Sequence, residues 1–283
     1  MARYSPLLEA QLKRVQTMGT ATGLNAIAFS GGVDSSLVAW LVYQVFGEEA
    51  IACLGISAAL PAEQRSLAQE VAAVIGLTFT EIETQEGEEA GYVANAGQAC
   101  FYCKTTLYST LDTLCQSMLL RFEGQGDVVL FNGTNLDDRA DETRVGLKAA
   151  NNFNVMSPLD NLTKDQVRTL AREVGLPNWN YAASPCLRSR LQYGVEATPA
   201  RLQRVERAES VVRHFLALSP SDNMRVRTLT GEVAMIEVDA AHLDTGQRML
   251  PALKTSLTAM GFDAVDLRAF RSGSLSRPSA SLV

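Results

Sequence analysis

Ala26-Ile27-Ala28-Phe29-Ser30-Gly31-Gly32-Val33-Asp34-Ser35-Ser36-Leu37-Val38-Ala39-Trp40-Leu41-Val42 is the stretch that decides the fold. Its apolar opening reads as a buried strand, its apolar close reads as a helix, and two glycines between them leave backbone N–H groups unobstructed. Those donors, with the partial positive charge of the helix start, make a ready anion site. Ser30, Gly31, Gly32, Val33, Ser35 and Ser36 are therefore candidate phosphate-binding residues, and Asp34 is the candidate holder of the Mg²⁺ that travels with a nucleotide. The plain alternative is a Gly/Ser turn. Neither GxxxxGK[ST] nor GxGxxG is present, so the common phosphate loops are not the explanation.

Outward from that loop, strand-like and helix-like segments alternate as a parallel α/β sheet requires. Residues 50–56 read as a second strand, 61–75 as a helix, 78–82 as a third strand and 127–133 as a fourth. In open parallel sheets ligands sit at the carboxyl ends of strands, so Gly133-Thr134-Asn135-Leu136-Asp137-Asp138 is expected to share a crevice with the loop at Ser30. Gly133, Thr134 and Asp138 join the candidate nucleotide-binding set, and Asp137 is a further polar candidate; a turn that caps the next helix is the alternative for the two aspartates. The pattern changes after Gly194. A helix from 201 to 218, a hairpin of 224–229 and 233–238, a helix from 240 to 260 and a strand over 262–267 predict a small α+β unit. The expected organisation is residues 1–194, residues 195–271 and a tail, 272–283, expected to be disordered.

The chain has 283 residues and 47% hydrophobic content, enough for one good core and a smaller second one. Its net charge of −6 argues against broad attraction to nucleic acid. The N-terminal residues lack an apolar signal core and no apolar run reaches membrane-spanning length, so a cytoplasmic protein without membrane partners is expected. In a reducing compartment the five cysteines are expected to act, if at all, as thiolates or metal ligands rather than disulfides.

Cys100-Phe101-Tyr102-Cys103 places two thiols on one side of a short turn, a spacing that suits a shared metal or an iron-sulfur cluster. A third thiol, Cys186, lies in Ser184-Pro185-Cys186-Leu187-Arg188-Ser189-Arg190, where two arginines favour thiolate. The loop at Ser30 resembles the pyrophosphate-binding loop of enzymes that split ATP into AMP and pyrophosphate, and behind such a loop the three thiols point to sulfur chemistry: an oxygen of the substrate is activated as an adenylate and a sulfur nucleophile displaces AMP. Cys53 and Cys115 read as small core residues.

Ser30-Gly31-Gly32-Val33-Asp34-Ser35, Gly133-Thr134-Asn135-Leu136-Asp137-Asp138 with Asp141 after it, Pro185-Cys186-Leu187-Arg188-Ser189-Arg190 and Arg225-Val226-Arg227 together resemble the LarE family of ATP-dependent sulfur transferases. The first motif alone marks the wider superfamily of PP-loop ATP pyrophosphatases (adenine nucleotide alpha hydrolase-like). That superfamily includes GMP and NAD synthetases and tRNA thiolation enzymes. The resemblance implies an α/β fold of that type, use of ATP and Mg²⁺, and a pyridinium-3,5-biscarboxylic acid mononucleotide whose carboxylate becomes a thiocarboxylate on the way to the nickel-pincer nucleotide of lactate racemase. It implies that Cys186 is catalytic, as a sacrificial donor that becomes dehydroalanine. Three-cysteine relatives instead imply a [4Fe-4S] cluster on Cys100, Cys103 and Cys186, and this route is the expected one here.

Arg225 and Arg227 alternate along a strand and can hold one phosphate together, as the resemblance also implies. With Arg188 and Arg190 they form the candidate substrate-binding set; a solvent-facing hairpin is the alternative. Glu209 and Glu237 could line the same region, but acidic residues on exposed strands and helices are usually solvated, which is the expectation here; His214 and His242 are expected at the surface, and a homo-oligomer is expected. The competing readings are a tRNA thiolase or another PP-loop synthetase, disfavoured by the lack of a glutaminase half and of a basic RNA-binding domain, and a nucleotide-regulated iron-sulfur binding module.

Overall fold

The structure, a computed structural model, describes residues 4–121, 126–140 and 145–271; Asp141 and the 272–283 tail lie outside them. The chain divides into two compact units. One comprises residues through Ser57, Ala62–Glu86 and Cys100–Asn180, and the other comprises Ala58–Pro61, Gly87–Ala99 and residues from Tyr181 onward. The boundary read from sequence at 194/195 thus falls inside the second unit, which also takes in the Cys186 loop.

The first unit is built on α1 (Pro6–Met18), β1 (Leu24–Ala28), α2 (Val33–Phe46), β2 (Ala50–Ile56), α3 (Ala62–Ile75) and β3 (Thr78–Glu83). It continues through α5 (Ala99–Arg121), which follows the short α4 (Ala90–Val93) of the second unit, then β4 (Val128–Phe131), α6 (Leu136–Ala140), α7 (Gly146–Asn152) and α8 (Lys164–Glu173). The four strands are parallel in the order β3-β2-β1-β4, so the chain reverses its direction of travel beside β1. That is the point where open α/β sheets bind ligands. Strands covered on both faces read as continuous apolar runs, as β1 and β2 do. One face is closed by α5 and α7 through Tyr108, Leu111, Cys115, Ala149 and Ala150. Helix α2 is apolar almost all round and correspondingly buried, packed against α1 and α8.

The helix of α5 corrects one expectation. Cys100 and Cys103 sit not on a short turn but in the first turns of a 23-residue helix, which the polar and aromatic mixture over 99–110 does not announce. Helix α1 was not anticipated either, although Ser5 caps it and Pro6 opens it.

In the second unit β5 (Met224–Leu229) and β6 (Val233–Val238) form the expected antiparallel hairpin. β7 (Ala264–Ala269) adds parallel to β6, two residues later than its apolar residues suggest. α9 (Pro199–Phe215) and α10 (Leu243–Thr258) supply Ala208, Val212, Leu253 and Leu257 to a core shared with Val226 and Ile236. The expected single helix from 240 is broken, a short 3-10 turn at Ala240–His242 preceding α10. Among the described residues no helix is long and apolar enough to cross a membrane.

Candidate functional site

The loop between β1 and α2 is organised to leave N–H groups available. Helix α2 has Gly32 at its cap position and no side-chain cap, whereas Ser5, Thr163 and Thr198 cap α1, α8 and α9. Its first-turn amides, Val33, Asp34 and Ser35, have no acceptor within the helix by construction. Gly31 is left-handed at φ +68°, and a Cβ there would lie 2.7 Å from Ala68 Cα, so glycine is required by packing. Gly32 differs: a Cβ would meet only Ser30 Oγ at 3.5 Å, so nothing in the protein itself demands glycine.

Ser35 Oγ accepts from Ser30 N at 3.2 Å, lies 3.1 Å from Ser30 Oγ and donates to Gly32 O at 3.0 Å. Ser30 is exposed, whereas Ser36 is fully buried and accepts from Asn178 Nδ2 at 2.9 Å. The hydroxyl of Ser36 thus fastens the loop from behind. At the end of β4, a Cβ on Gly133 would lie 2.7 Å from Ser35 N, so this glycine lets the two strand ends meet. Thr134 N donates to Asn132 Oδ1 at 3.0 Å. Asn135 Nδ2 donates to Asp34 Oδ1 at 3.1 Å, and Lys164 Nζ ion-pairs with Asp34 Oδ2. Asp138 and Asn135 exchange hydrogen bonds between backbone and side chain, and Asp137 Oδ2 accepts from Lys164 N at 2.8 Å. The aspartate pair therefore serves turns and helix starts, and the structure brings Gly133, Thr134 and Asp138 to the same strand ends as the loop. Asn135, Lys164, Gln64 and Asn178 escaped sequence reading. Thr163 and Gln166 form a capping box that marks the start of α8 and hence Lys164. Nothing local marks Asn178.

The second unit holds a different kind of site. Cys186, half-buried, precedes a short 3-10 helix, Leu187–Arg190. Its carbonyl accepts from Ser189 Oγ at 2.7 Å and Arg190 Nη1 at 3.2 Å, and Leu187 N donates to Ala59 O at 2.8 Å. Arg190 is 1% exposed and pairs in fork geometry with Glu209, at 2.9 and 3.2 Å. Arg188 Nη1 donates to Asn95 Oδ1 at 3.1 Å. Arg225 and Arg227 are both buried, so the solvent-facing alternative for this strand is excluded. Arg227 pairs with Glu237 at 2.9 Å, and Arg268 pairs with the same carboxylate at 2.6 Å. Arg225 instead donates to the carbonyls of Met224 and Ala183 and lies over the Phe270 ring. Burial, followed by the nearby Arg190 guanidinium, pushes its pKa down to about 10, which still leaves it protonated at neutral pH. Four guanidiniums thus face two carboxylates, a surplus of two positive charges: Arg268 shares Glu237 with Arg227, and Arg225 hydrogen-bonds carbonyls rather than a carboxylate.

The sequence expectation that Glu209 and Glu237 are solvated is therefore corrected: both are engaged by arginines inside the second unit. Glu237 is completely buried, and Glu209 also accepts from Val226 N at 3.0 Å. His242 Nε2 lies 3.2 Å from Asp222 Oδ1, and His214 stacks edge-on with Phe215. Burial raises the Cys53 thiol above its ordinary range and pushes Cys115 up to about 12, so both are inert core residues. Cys100 is exposed and Cys103 half-buried on α5, while Cys186 belongs to the second unit. Among the described residues no group of three or more His, Cys, Asp or Glu is gathered so as to hold a metal ion.

No protein-family model matches the chain. An uncharacterized protein of Synechocystis, slr1717, is 34% identical over 277 residues, a span covering 96% of this chain and 98% of the relative. The chain belongs to the family of that protein. The pyridinium-3,5-bisthiocarboxylic acid mononucleotide synthase of Lactiplantibacillus plantarum is 29% identical over 283 residues, covering 96% of this chain and 94% of the synthase. The glutamine-hydrolyzing GMP synthase of Mycobacterium tuberculosis is 25% identical over 240 residues, which take up 78% of this chain and 45% of that enzyme. The parallel sheet and its loop are of the PP-loop type, with a smaller α+β unit attached.

Proposed function

We propose that this chain is an ATP-dependent sulfur transferase that activates a carboxylate of a pyridinium mononucleotide and converts it to a thiocarboxylate, the chemistry named for its Lactiplantibacillus relative. The observation that carries the reading is the uncapped start of α2 beside Gly32, a cradle that a Cβ would fill without touching protein backbone. The pyrophosphate part of ATP fits there, held by first-turn amides and the Ser30 and Ser35 hydroxyls. Asp34 would hold Mg²⁺ through one carboxylate, with phosphate oxygens and water completing the shell; Lys164 must then yield its place on that carboxylate. Attack of the substrate carboxylate on the α-phosphorus forms an acyl adenylate and releases pyrophosphate.

Arg225, which hydrogen-bonds carbonyls rather than a carboxylate, is the group in the second unit for the substrate phosphate, and Arg190, Arg227 and Arg188 shape its surroundings. Cys186 is the sulfur-bearing residue. Its thiolate attacks the acyl adenylate, AMP leaves, and the resulting thioester loses its Cα proton with cleavage of the Cβ–S bond, leaving dehydroalanine and the thiocarboxylate. In the second route, the one expected from the three cysteines, Cys100 and Cys103, one turn apart on α5, would hold a [4Fe-4S] cluster together with Cys186, and the cluster would supply sulfide in place of the Cys186 sulfur.

The test incubates purified protein with ATP, Mg²⁺ and pyridinium-3,5-biscarboxylic acid mononucleotide. Stoichiometric pyrophosphate, a product heavier by the exchange of oxygen for sulfur and loss of H₂S from Cys186 are expected. Absence of pyrophosphate would overturn the adenylation reading. Intact Cys186 after several turnovers, with iron bound in anaerobically purified protein and lost in Cys103→Ala, would move the sulfur route to the cluster.

A further inference from the structure

The loop at the start of α2 can bind an anion only if its peptides turn their N–H groups outward and their carbonyls inward. Two carbonyls of this loop, those of Ser30 and Gly31, are held by side-chain amides from distant parts of the first unit. Gln64 Nε2, on α3, donates to Ser30 O at 2.5 Å. Asn178 Nδ2, beyond the end of α8, donates to Gly31 O at 2.7 Å and to Ser36 Oγ at 2.9 Å. Neither amide is at the surface: Gln64 is 7% and Asn178 1% exposed. Asn178 Oδ1 is buried with no partner among the described residues. A buried amide that leaves its own oxygen unpaired costs stability. Its retention makes sense when the Nδ2 contacts have a task that packing alone does not give them.

We infer that Asn178 and Gln64 are positioning residues that fix the peptide orientation of the pyrophosphate loop. The inference rests on the proposed adenylating function. Asn178 spans the loop, tying the left-handed Gly31 to Ser36 in the first turn of α2, so the amides between them are fixed relative to one another. Gln64 fixes the preceding peptide. If either donor is replaced by an acceptor, the loop carbonyl faces a like dipole or charge and its peptide is driven to rotate, bringing oxygen toward the anion site. A carboxylate in either position has the shape of the amide and none of its donors at neutral pH.

The test compares wild type, Asn178→Asp and Gln64→Glu in the full-length protein, with Mg²⁺-pyrophosphate as the calorimetric probe and steady-state kinetics alongside. Each variant is expected to weaken pyrophosphate binding tenfold or more and to raise the KM for ATP by a similar factor. The KM for the carboxylate substrate should stay within twofold, because a loop defect of this kind does not reach the substrate's own contacts; a merely structural lesion would move both KM values and the melting temperature. Asn178→Asp or Gln64→Glu that remains folded and binds pyrophosphate within twofold of wild type overturns the inference. If Asn178→Asp does not fold, Gln64→Glu decides. Wild-type protein that fails to bind pyrophosphate at all sinks the adenylating function itself, an outcome distinct from normal wild-type binding with indifferent variants.

Discussion

On the proposed function, the two units prepare for anions in opposite ways. In the first, the loop beside Gly32 offers neutral donors: backbone amides at a helix start, two serine hydroxyls, and carbonyls drawn aside by Gln64 and Asn178. Lys164, which reaches the loop, is already paired with Asp34. In the second, guanidiniums exceed carboxylates, and Arg225 hydrogen-bonds carbonyls rather than a carboxylate. Dipoles cost little to keep aligned when the site is empty, because they belong to the backbone. A desolvated charge costs stability until its partner arrives. The first design suits a group that must leave, as pyrophosphate does, and the second suits a phosphate that is retained through the reaction.

The contrast is broken most directly at Gly32. Gly32→Val should leave the melting temperature nearly unchanged, since its Cβ meets only Ser30 Oγ, while reducing pyrophosphate release by at least about 100-fold by blocking backbone approach. Normal ATP cleavage in that variant would remove the loop from the mechanism. In the second unit charge itself is structural. Glu237→Gln leaves Arg227 and Arg268 without their shared carboxylate and should cost about 3–5 kcal/mol in denaturant unfolding, with no matching loss expected for Arg268→Met at the exposed edge of the pair.

Arg225→Met sharpens the comparison further. It should weaken binding of the phosphorylated substrate by about 1.5–3 kcal/mol in calorimetry and leave ATP binding alone, yet cost little stability, because the removed charge hydrogen-bonds two carbonyls and lies over Phe270 rather than pairing directly with a carboxylate. A variant that loses both affinities would place Arg225 outside substrate binding. The smallest effect concerns acid. Burial tends to raise the pKa of Glu232, but hydrogen bonds from Arg201 and Arg204 outweigh it and hold the carboxyl below its ordinary value. A depressed carboxyl stabilises the fold fully above the ordinary glutamate pKa and progressively less as pH falls through the lower folded value. Glu232→Gln should therefore cost about 0–1 kcal/mol at pH 7, and the difference from wild type should narrow as pH falls below the ordinary glutamate range.

Much of this was legible from residue order because it is local. The apolar run into Gly31-Gly32, the strand ends at Gly133 and the hairpin of β5 and β6 are all written in contiguous residues, and the observed strands match them closely. The amide supports of the loop were not, because Asn178 reaches Gly31 across 147 residues and an asparagine beside Pro177 looks like any loop residue. Glu237 was misread for another reason. A glutamate among Val, Ala, Met and Ile looks like the polar face of a strand, and only the register that sets Arg225 opposite it shows that this face is interior. The extent of the second unit was invisible for the same cause, since segments 58–61 and 87–99 carry no local sign of their destination.

That interleaving bears on how the chain is made. Asn95, left-handed at φ +49°, spends its side chain on the carbonyls of Leu191, Gln192 and Val195, the last of them 100 residues downstream. At a synthesis rate of about 5–20 residues per second, its partners emerge roughly 5–20 s after it does. The segment around it must wait for those partners through that interval, so this part of the second unit cannot close before residues 191–195 have been made.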